Sequence, residues 1–425
     1  MSPSQELREI GAVAALTRSR GEAATCRSCG GRGLEVVLDL GAVPLADGFH
    51  RPEAPAPGRH PLELAFCARC ALVQILETVP PEELFCRDYP YHSSVSESWL
   101  RHCRESALRL IDERGLGPES LVIEPASNDG YMLENFQARG IRVLGVDPAE
   151  GPARAAMAKG IPTIQAFFGL ELAEQLRARG AVADLVLANN VLAHVPDLHG
   201  FLEGVAHVLR DDGVAVFEFP YLVDMVEKVE FDTIYHEHLC YFSLTALERL
   251  FPRDGLFIQR VERLESHGGS LRVTAGLSPA RDDSVAALLA EEEARGVGEA
   301  RFYEDFAAAS WRSLEALREL LRQRRAEGRK IAAYGAPAKG TVLLNAAGIG
   351  PETLAYAVDR CVHKQGKLIP GVGVPIYALS RLREEPPDDL LLLPWNLRAE
   401  ILAQEAEFRA RGGRFIVPRP RLEIV

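Results

Sequence analysis

The chain contains 425 residues with a formal net charge of −12 at pH 7, and 47% of its residues are hydrophobic. This length exceeds what one hydrophobic core usually supports, so we expect two or three domains. The acidic balance argues against a nucleic-acid partner. Because the sequence shows neither an uncharged apolar run long enough to cross a bilayer nor the pattern of a secretion signal, we expect a globular, cytoplasmic protein without a membrane partner.

Two Cys-x-x-Cys pairs lie in the first 80 residues, Cys26 with Cys29 and Cys67 with Cys70. Four thiolates suit a closed tetrahedral zinc site that has no open coordination position, so the pairs predict structural zinc. Free thiols or a redox pair are the alternatives.

An aromatic turn around Tyr89 precedes a helical pattern within residues 82–116. The tyrosines of this turn stand next to hydroxyl side chains and could line a ligand pocket. A packed turn before a helix explains the same residues, and the sequence leaves both interpretations open.

Residues 121–133 run from an apolar strand through a polar turn into a helix, which is typical of a nucleotide site in an open α/β sheet. The next apolar run, 141–146, ends in Asp147, an acid placed to bind the ribose of an adenosine. The turn lacks the glycines of a pyrophosphate loop, and Glu124 would repel phosphate, so S-adenosylmethionine fits better than NAD. A strand–turn–helix without any ligand is the alternative. The predicted cofactor contacts are Glu124, Ala126, Ser127, Asn128, Asp129, Gly130, Tyr131, Asp147, Asn189 and Asn190.

Further apolar runs at 162–166, 183–188 and 213–219 predict additional parallel strands. The strand at 183–188 ends next to Asn189 and leads to His194. Since ligands bind at the carboxyl ends of such strands, we expect these side chains to face the same site.

Residues 231–243 concentrate a phenol, two imidazoles and a carboxylate at Tyr235, His236, Glu237 and His238. Imidazole exchanges protons near pH 7, and a tyrosine can donate to a developing oxyanion. The sequence therefore predicts acid–base chemistry here. A metal site without a third ligand at a familiar spacing and a surface loop are the alternatives.

The last third of the chain carries two more candidate contacts. A glycine turn at 265–273 presents Arg272, which could meet a phosphate or belong to an ordinary hairpin. After a charged helical stretch at 281–329, a second α/β unit begins at 331–334. Lys339 opens its first helix as a candidate phosphate contact, and Asp359 again ends a second strand, although a scaffold surface explains both.

These motifs together resemble the S-adenosylmethionine-dependent sugar C-methyltransferases of antibiotic deoxysugar biosynthesis, which act on NDP-4-keto-hexoses. The resemblance covers essentially the whole chain. It departs from the family at Pro125, a change that we do not expect to reach the cofactor contacts. The matching motifs are the two Cys-x-x-Cys pairs, Ala-Ser-Asn-Asp-Gly-Tyr at 126–131, Asn-Asn-Val-x-Ala-His at 189–194, Tyr-His-Glu-His at 235–238, His-Gly-Gly-Ser-x-Arg at 267–272 and Gly-Ala-x-Ala-Lys-Gly at 335–340.

The resemblance implies an α/β protein of three parts. These are a zinc-binding N-terminal domain at 1–80, a Rossmann-type class I methyltransferase domain at 81–275, and a helical connector with a C-terminal Rossmann-like domain at 276–425. We expect a monomer, because nothing in the sequence resembles a coiled coil.

The resemblance also implies C-methylation of a dTDP-linked 4-keto-deoxyhexose through an enolate, with C-3 as the expected position. His238 would be the base with Glu237 orienting it, and Tyr235, Tyr89 and His194 would contact the sugar or its enolate oxygen. C-5, N- or O-methylation, or a non-catalytic zinc- and nucleotide-binding protein, are the alternatives. The expected substrate contacts are His236, His267, Arg272 and Lys339.

Overall fold

The computed structural model describes residues 20, 23–85 and 93–425, except for the side chains of residues 95 and 267. Three β-sheets of four, seven and six strands follow one another along the chain. Within the described ranges, no helix is both long and apolar enough to cross a membrane.

The first sheet is antiparallel, with the strand order β1-β2-β3-β9. Its last strand comes from far along the chain, since Val73 pairs with Tyr241 and Gln74 with Cys240. The first domain is therefore not confined to residues 1–80, and backbone hydrogen bonds fix the segment after residue 238 against it. The strands are β1 (Glu35–Pro44), β2 (Arg59–Phe66), β3 (Val73–Ile75) and β9 (Cys240–Tyr241).

The second sheet has the strand order β10-β11-β8-β7-β4-β5-β6. Strands β4 to β8 are parallel, and β11 runs antiparallel to both of its neighbours. The order reverses between β4 and β7, which makes their carboxyl ends a topological switch point. The strands are β4 (Leu121–Pro125), β5 (Arg142–Val146), β6 (Thr163–Ile164), β7 (Ala183–Asn189), β8 (Leu209–Pro220), β10 (Phe257–Leu264) and β11 (Ser270–Gly276).

Both faces of the second sheet are buried. Val122 and Leu185 belong to one hydrophobic cluster, whereas the next residues along, Ile123 and Val186, belong to another. Such alternation, with every residue apolar, is what parallel strands between two helical layers require. The accompanying helices are α1 (Pro81–Phe85), α2 (Glu97–Arg114), α3 (Leu133–Gln137), α4 (Glu150–Ala158), α5 (Leu170–Ala178), α6 (Leu198–Val208), α7 (Leu222–Glu227) and α8 (Leu244–Leu250).

The third sheet has the order β14-β13-β12-β15-β16-β17 and is parallel except for its last pair. Here the order reverses between β12 and β15, giving a second switch point. Its strands are β12 (Ile331–Tyr334), β13 (Ala357–Val358), β14 (Ile376–Tyr377), β15 (Asp389–Leu392), β16 (Arg414–Val417) and β17 (Glu423–Ile424). The helices are α9 (Asp283–Arg295), α10 (Glu304–Ala326), α11 (Ala338–Ala347), α12 (Arg381–Glu384), α13 (Arg398–Gln404) and α14 (Ala406–Ala410).

Candidate active site

The four predicted zinc ligands converge in space. The Sγ atoms of Cys26, Cys29, Cys67 and Cys70 all lie within 4.8 Å of one another, and the pairs Cys26–Cys70 and Cys29–Cys67 are 3.4 and 3.6 Å apart. A zinc ion about 2.3 Å from four thiolates separates the sulfurs by about 3.8 Å, so the cluster fits the metal. The hydrogen bond that Cys26 and Cys70 share lowers the pKa of the Cys70 thiol and raises that of Cys26, so one proton is held between these two sulfurs. The site is closed and therefore structural.

A large cavity lies between the second and third sheets. Its volume is about 1720 Å³, and both switch points contribute to its wall. The loops after β4 and β7 supply one part of the lining, and the loops after β12 and β15 supply another. Two sites of the type that binds nucleotides in α/β sheets thus open into one space.

Asp147 organises the first switch point. Its Oδ2 accepts a hydrogen bond from the backbone N–H of Asn128 and its Oδ1 one from Ala149, both at 2.8 Å. Ala126, Asn128 and Asn190 have positive φ angles of 53°, 50° and 54°. Backbone strain at non-glycine residues collects at ligand sites because the surrounding structure must hold it there.

The first switch point is acidic. Burial raises the pKa of Asp147, and burial together with Asp147 and Asp129 raises the pKa of Glu124 well above its usual range. Neighbouring carboxyl groups that oppose each other's ionisation repel phosphate and attract a cationic ligand. This chemistry fits S-adenosylmethionine, which carries a sulfonium and an ammonium group.

The structure separates the ten predicted cofactor contacts into two groups. Glu124 lies within β4 behind the cavity wall, and Ser127 packs its hydroxyl where a side chain on Gly145 would stand. Asp129 accepts a hydrogen bond from the Ser94 hydroxyl. Gly130 has a positive φ of 77°, which favours glycine, and a Cβ there would meet the end of the Ile161 side chain. The residues that line the cavity are Ala126, Asn128, Tyr131, Asp147, Asn189 and Asn190.

Pro125 also lines this cavity. The expectation that the departure from the family at this position stays clear of the cofactor region is therefore not supported by its location.

His238 has a defined tautomer. Its Nδ1 lies 3.1 Å from the carbonyl oxygen of Thr233, and its Nε2 lies 2.8 Å from the hydroxyl of Tyr235. Because a carbonyl only accepts, Nδ1 carries a proton, and in the neutral form of the ring Nε2 accepts from the Tyr235 hydroxyl. Thr233 thus orients the ring through Nδ1, and the orienting role predicted for Glu237 stays a prediction.

His194 packs edge-on against His238, with ring centroids 4.7 Å apart. Its Nδ1 donates to the backbone carbonyl of Glu237 at 2.6 Å. Burial lowers the pKa of His194 to about 4, so the ring is neutral at pH 7 and its Nε2 carries a lone pair.

The Glu237 carboxyl group lines the same cavity and is 6% exposed. Burial, and then the charge of Asp47, raises its pKa to about 8. The group therefore carries its proton at pH 7.

Two predicted substrate contacts lie away from the cavity. His236 bonds through Nε2 to the carbonyl oxygen of Pro61 at 3.1 Å and packs against His60 of the first domain. Arg272 forms a buried ion pair with Glu218 at 2.7 Å. Tyr89 and the side chain of His267 lie outside the described residues.

The second switch point repeats the aspartate arrangement of the first. Oδ2 of Asp359 accepts from the backbone N–H of Ala336 at 2.7 Å, and Oδ1 accepts from Cys361 at 2.8 Å. The surroundings differ, because the lining residues here include Lys339, Arg360 and Lys364.

Lys339 has well-defined partners at this second switch point. Its Nζ donates to Asn396 at 3.0 Å and lies 4.3 Å from the centre of the Trp395 ring. Burial lowers its pKa. The nearby carboxyl groups of Asp232 and Glu230 oppose this shift, so the ammonium group is held beside the cavity with anionic neighbours.

Sequence reasoning missed several charged or titratable residues of the cavity wall, among them Asp47, His102 and Lys364. His102 stacks on Trp99 and bonds to Glu218 at 2.7 Å. Asp47 and Lys364 belong to none of the motifs named above. Only the packing of the domains brings these residues to the cavity.

Three family models match the chain, and together they span most of it. They are described as "Putative zinc binding domain" at 26–85, "Methyltransferase domain" at 99–260 and "C-methyltransferase C-terminal domain" at 265–420. These matches and the three sheets confirm the predicted fold class, with a zinc-binding domain, a methyltransferase domain and a C-terminal domain.

The C-methyltransferase NovU of Streptomyces niveus is 40% identical over 405 residues, which cover 94% of this chain and 96% of NovU. Among solved structures, magnesium protoporphyrin IX methyltransferase of Synechocystis PCC 6803 with bound SAM is 17% identical with a TM-score of 0.32, covering 42% of this chain and 79% of that one. The 1,6-didemethyltoxoflavin-N1-methyltransferase of Burkholderia thailandensis is 20% identical with a TM-score of 0.31, covering 41% and 76%.

Proposed function

The chain belongs to the S-adenosylmethionine-dependent C-methyltransferase family, and from this premise we propose that it methylates a carbon beside the ketone of a dTDP-linked 4-keto-deoxyhexose. The proposed position is C-3, and the proposed setting is antibiotic deoxysugar biosynthesis. The observation that carries the proposal is the pair of switch points on one cavity, one acidic and one basic, with Tyr235, His238 and His194 on the same wall.

The acidic switch point is the proposed cofactor site. S-adenosylmethionine, when bound, supplies an electrophilic methyl group on a sulfonium. Asp147, Asn189 and Asn190 would hold its polar groups, and the local negative charge complements its cationic centres. This charge also keeps a diphosphate out of the same half of the cavity.

The basic switch point is the proposed site for the nucleotide part of the substrate. Lys339, Arg360 and Lys364 line the cavity there, and Lys339 stands at the first turn of α11. Ammonium and guanidinium groups beside a helix N-terminus are suited to a diphosphate. Asn396, which holds Lys339 in place, would release it or share it when an anion arrives.

His238 is the proposed base. The proton leaves the carbon beside the ketone for Nε2, and the bonding electron pair moves onto the sugar oxygen as an enolate. The carbonyl oxygen of Thr233 accepts from Nδ1 and so stabilises the imidazolium that forms. Neutral His194 adds no second positive charge next to this imidazolium.

Tyr235 is proposed to hold His238 ready for this step. Its hydroxyl donates to the Nε2 atom that must receive the proton. The sugar therefore takes over this position from Tyr235, or passes its proton through the phenol oxygen. Fixed geometry between the resulting carbanion and the methyl donor supplies much of the rate.

The test uses S-adenosylmethionine with a ¹³C-labelled methyl group and dTDP-4-keto-6-deoxyglucose, and NMR locates the added methyl. A methyl on C-3 is the expected result. A methyl on C-5 would keep the enolate mechanism and change the position. A methyl on oxygen or nitrogen would overturn the proposed base.

A further inference from the structure

Asp47 brings the N-terminal domain into the cavity. It follows β1 and lines the wall together with Glu237 of the methyltransferase domain and Lys364 of the C-terminal domain. The charge of Asp47 raises the pKa of Glu237, and Lys364 Nζ lies 3.9 Å from Asp47 Oδ1. Each of the three domains thus contributes one charged or titratable side chain to the wall of this cavity.

The Glu237 carboxyl group differs from the neighbouring side chains in the hydrogen bonds that it makes. The proton of His194 goes to a carbonyl oxygen, that of His238 Nδ1 goes to Thr233, and that of Tyr235 goes to His238. In contrast, Oε2 of Glu237 is buried and has no hydrogen-bond partner among the described residues. An unsatisfied buried carboxyl oxygen is costly, so its position points to a ligand atom.

We propose that Glu237 donates its proton to the ketone oxygen of the sugar as the enolate forms, and that Asp47 is the positioning residue that keeps Glu237 a neutral acid. This inference rests on the proposed enolate mechanism. It gives the N-terminal domain a part in the reaction in addition to its structural zinc.

The step balances as follows. His238 removes the C–H proton, the electron pair becomes the C=C bond, and the carbonyl π electrons take the proton of Glu237. On methylation, the C=C π electrons form the bond to the methyl carbon as its bond to sulfur breaks, and the O–H electrons re-form C=O. Glu237 recovers its proton, and His238 releases the proton that it took from carbon to solvent. A carboxylic acid kept neutral at pH 7 by an apolar site is well suited to this exchange.

Several charged or titratable groups face this contact. The charge of Asp47, in the first domain, raises the pKa of Glu237, and Lys364, in the third domain, forms an ion pair with Asp47. Glu237 in turn acts on the Tyr241 phenol of β9. Because Asp47 is the carboxylate that disfavours ionised Glu237, removing its charge makes Glu237 lose its proton at a lower pH.

The experiment follows exchange of the sugar proton beside the ketone for deuterium by NMR. The protein is incubated with dTDP-4-keto-6-deoxyglucose and S-adenosylhomocysteine, so that no methyl transfer occurs. The exchange rate of the wild type should fall as pH rises through the pKa of Glu237, near 8. Asp47→Asn keeps the backbone amide and should move this midpoint down by about one pH unit.

Glu53→Gln is the matched control, because it removes one charge from an exposed position of the same domain. It should leave the midpoint where it is in the wild type. Glu237→Gln keeps a hydrogen-bond donor that does not titrate, so its exchange should be slower and the midpoint should disappear.

The outcomes separate the two proposals. An unshifted midpoint in Asp47→Asn, or a retained midpoint in Glu237→Gln, overturns the role of Asp47 and Glu237 while the enolate mechanism stands. No exchange in the wild type at any pH overturns the enolate mechanism itself, and this inference with it.

Discussion

The switch points of the second and third sheets share a backbone frame but differ in charge. Asp147 and Asp359 each accept the N–H of the preceding loop and the N–H two residues further on. Around Asp147 stand further carboxyl groups, whereas cationic side chains line the cavity beside Asp359. The same backbone arrangement can therefore bind ligands of opposite charge, because the aspartate fixes the loop and the surrounding side chains determine the charge of the site.

The two loops reach this frame by different means. The first uses non-glycine residues with positive φ, among them Ala126 and Asn128. The second uses Gly335, with φ of 79°, where a Cβ would strike Pro394. The first loop is strained and the second is relaxed. This difference fits the proposal that the first loop places the methyl donor, whose position must be precise, whereas the second binds the nucleotide.

Replacing His238 should have the largest effect on activity while leaving both switch points intact. His238→Asn removes the proposed base, and we expect kcat to fall by about 10³-fold. Calorimetry should give unchanged Kd values for S-adenosylmethionine and for dTDP. Activity close to that of the wild type would exclude His238 as the base.

The two aspartates provide the sharpest test of the division. Asp147→Asn replaces a carboxylate that accepts two hydrogen bonds by an amide with one acceptor. We therefore expect the Kd of S-adenosylmethionine to rise by about tenfold or more and the Kd of dTDP to stay unchanged. Asp359→Asn should show the reverse pattern. Equal losses for both ligands in either variant would mean that the two sites do not act separately.

A change of charge at the second switch point should have a somewhat smaller effect. Lys339→Gln removes an ammonium group near the proposed diphosphate, and we expect about a fivefold rise in the Kd of dTDP, with a weaker dependence on salt. Binding of S-adenosylmethionine should not change. A loss of S-adenosylmethionine binding would instead assign Lys339 to the cofactor.

The smallest expected effect is a pH dependence of cofactor binding. Burial raises the pKa of Asp147, so its carboxylate takes up a proton at a higher pH than an ordinary aspartate does. Affinity for S-adenosylmethionine should be full above that pKa and should fall severalfold as the pH drops through it. Titrations at a series of pH values would show this, and Asp147→Asn should flatten the dependence.

The positions of the two switch points are partly predictable from sequence, because the apolar run of each strand ends at an acidic residue or a small-residue turn. The strand 331–334 appears as Ile331–Tyr334, and both acids, at 147 and 359, stand at the tips of the strands expected. The cysteine pairs were also predictable, since zinc requires four ligands at short spacings.

The remaining features depend on contacts between distant segments. Within 235–238 the backbone is irregular, so no periodicity could indicate that His236 turns towards the first domain while its neighbours line the cavity. Asp47 reaches Glu237 only through the packing of the first domain, which a two-residue strand, β9, helps to fix. Gly130 looks like a ligand contact in sequence, but its neighbour Ile161 is known only from the structure.

The most direct test of two ligand sites on one cavity is a calorimetric titration of dTDP into protein saturated with S-adenosylhomocysteine. We predict one dTDP per chain, with a Kd close to that of the protein without S-adenosylhomocysteine. Competition between the two ligands would contradict the assignment of the acidic and basic switch points to different ligands.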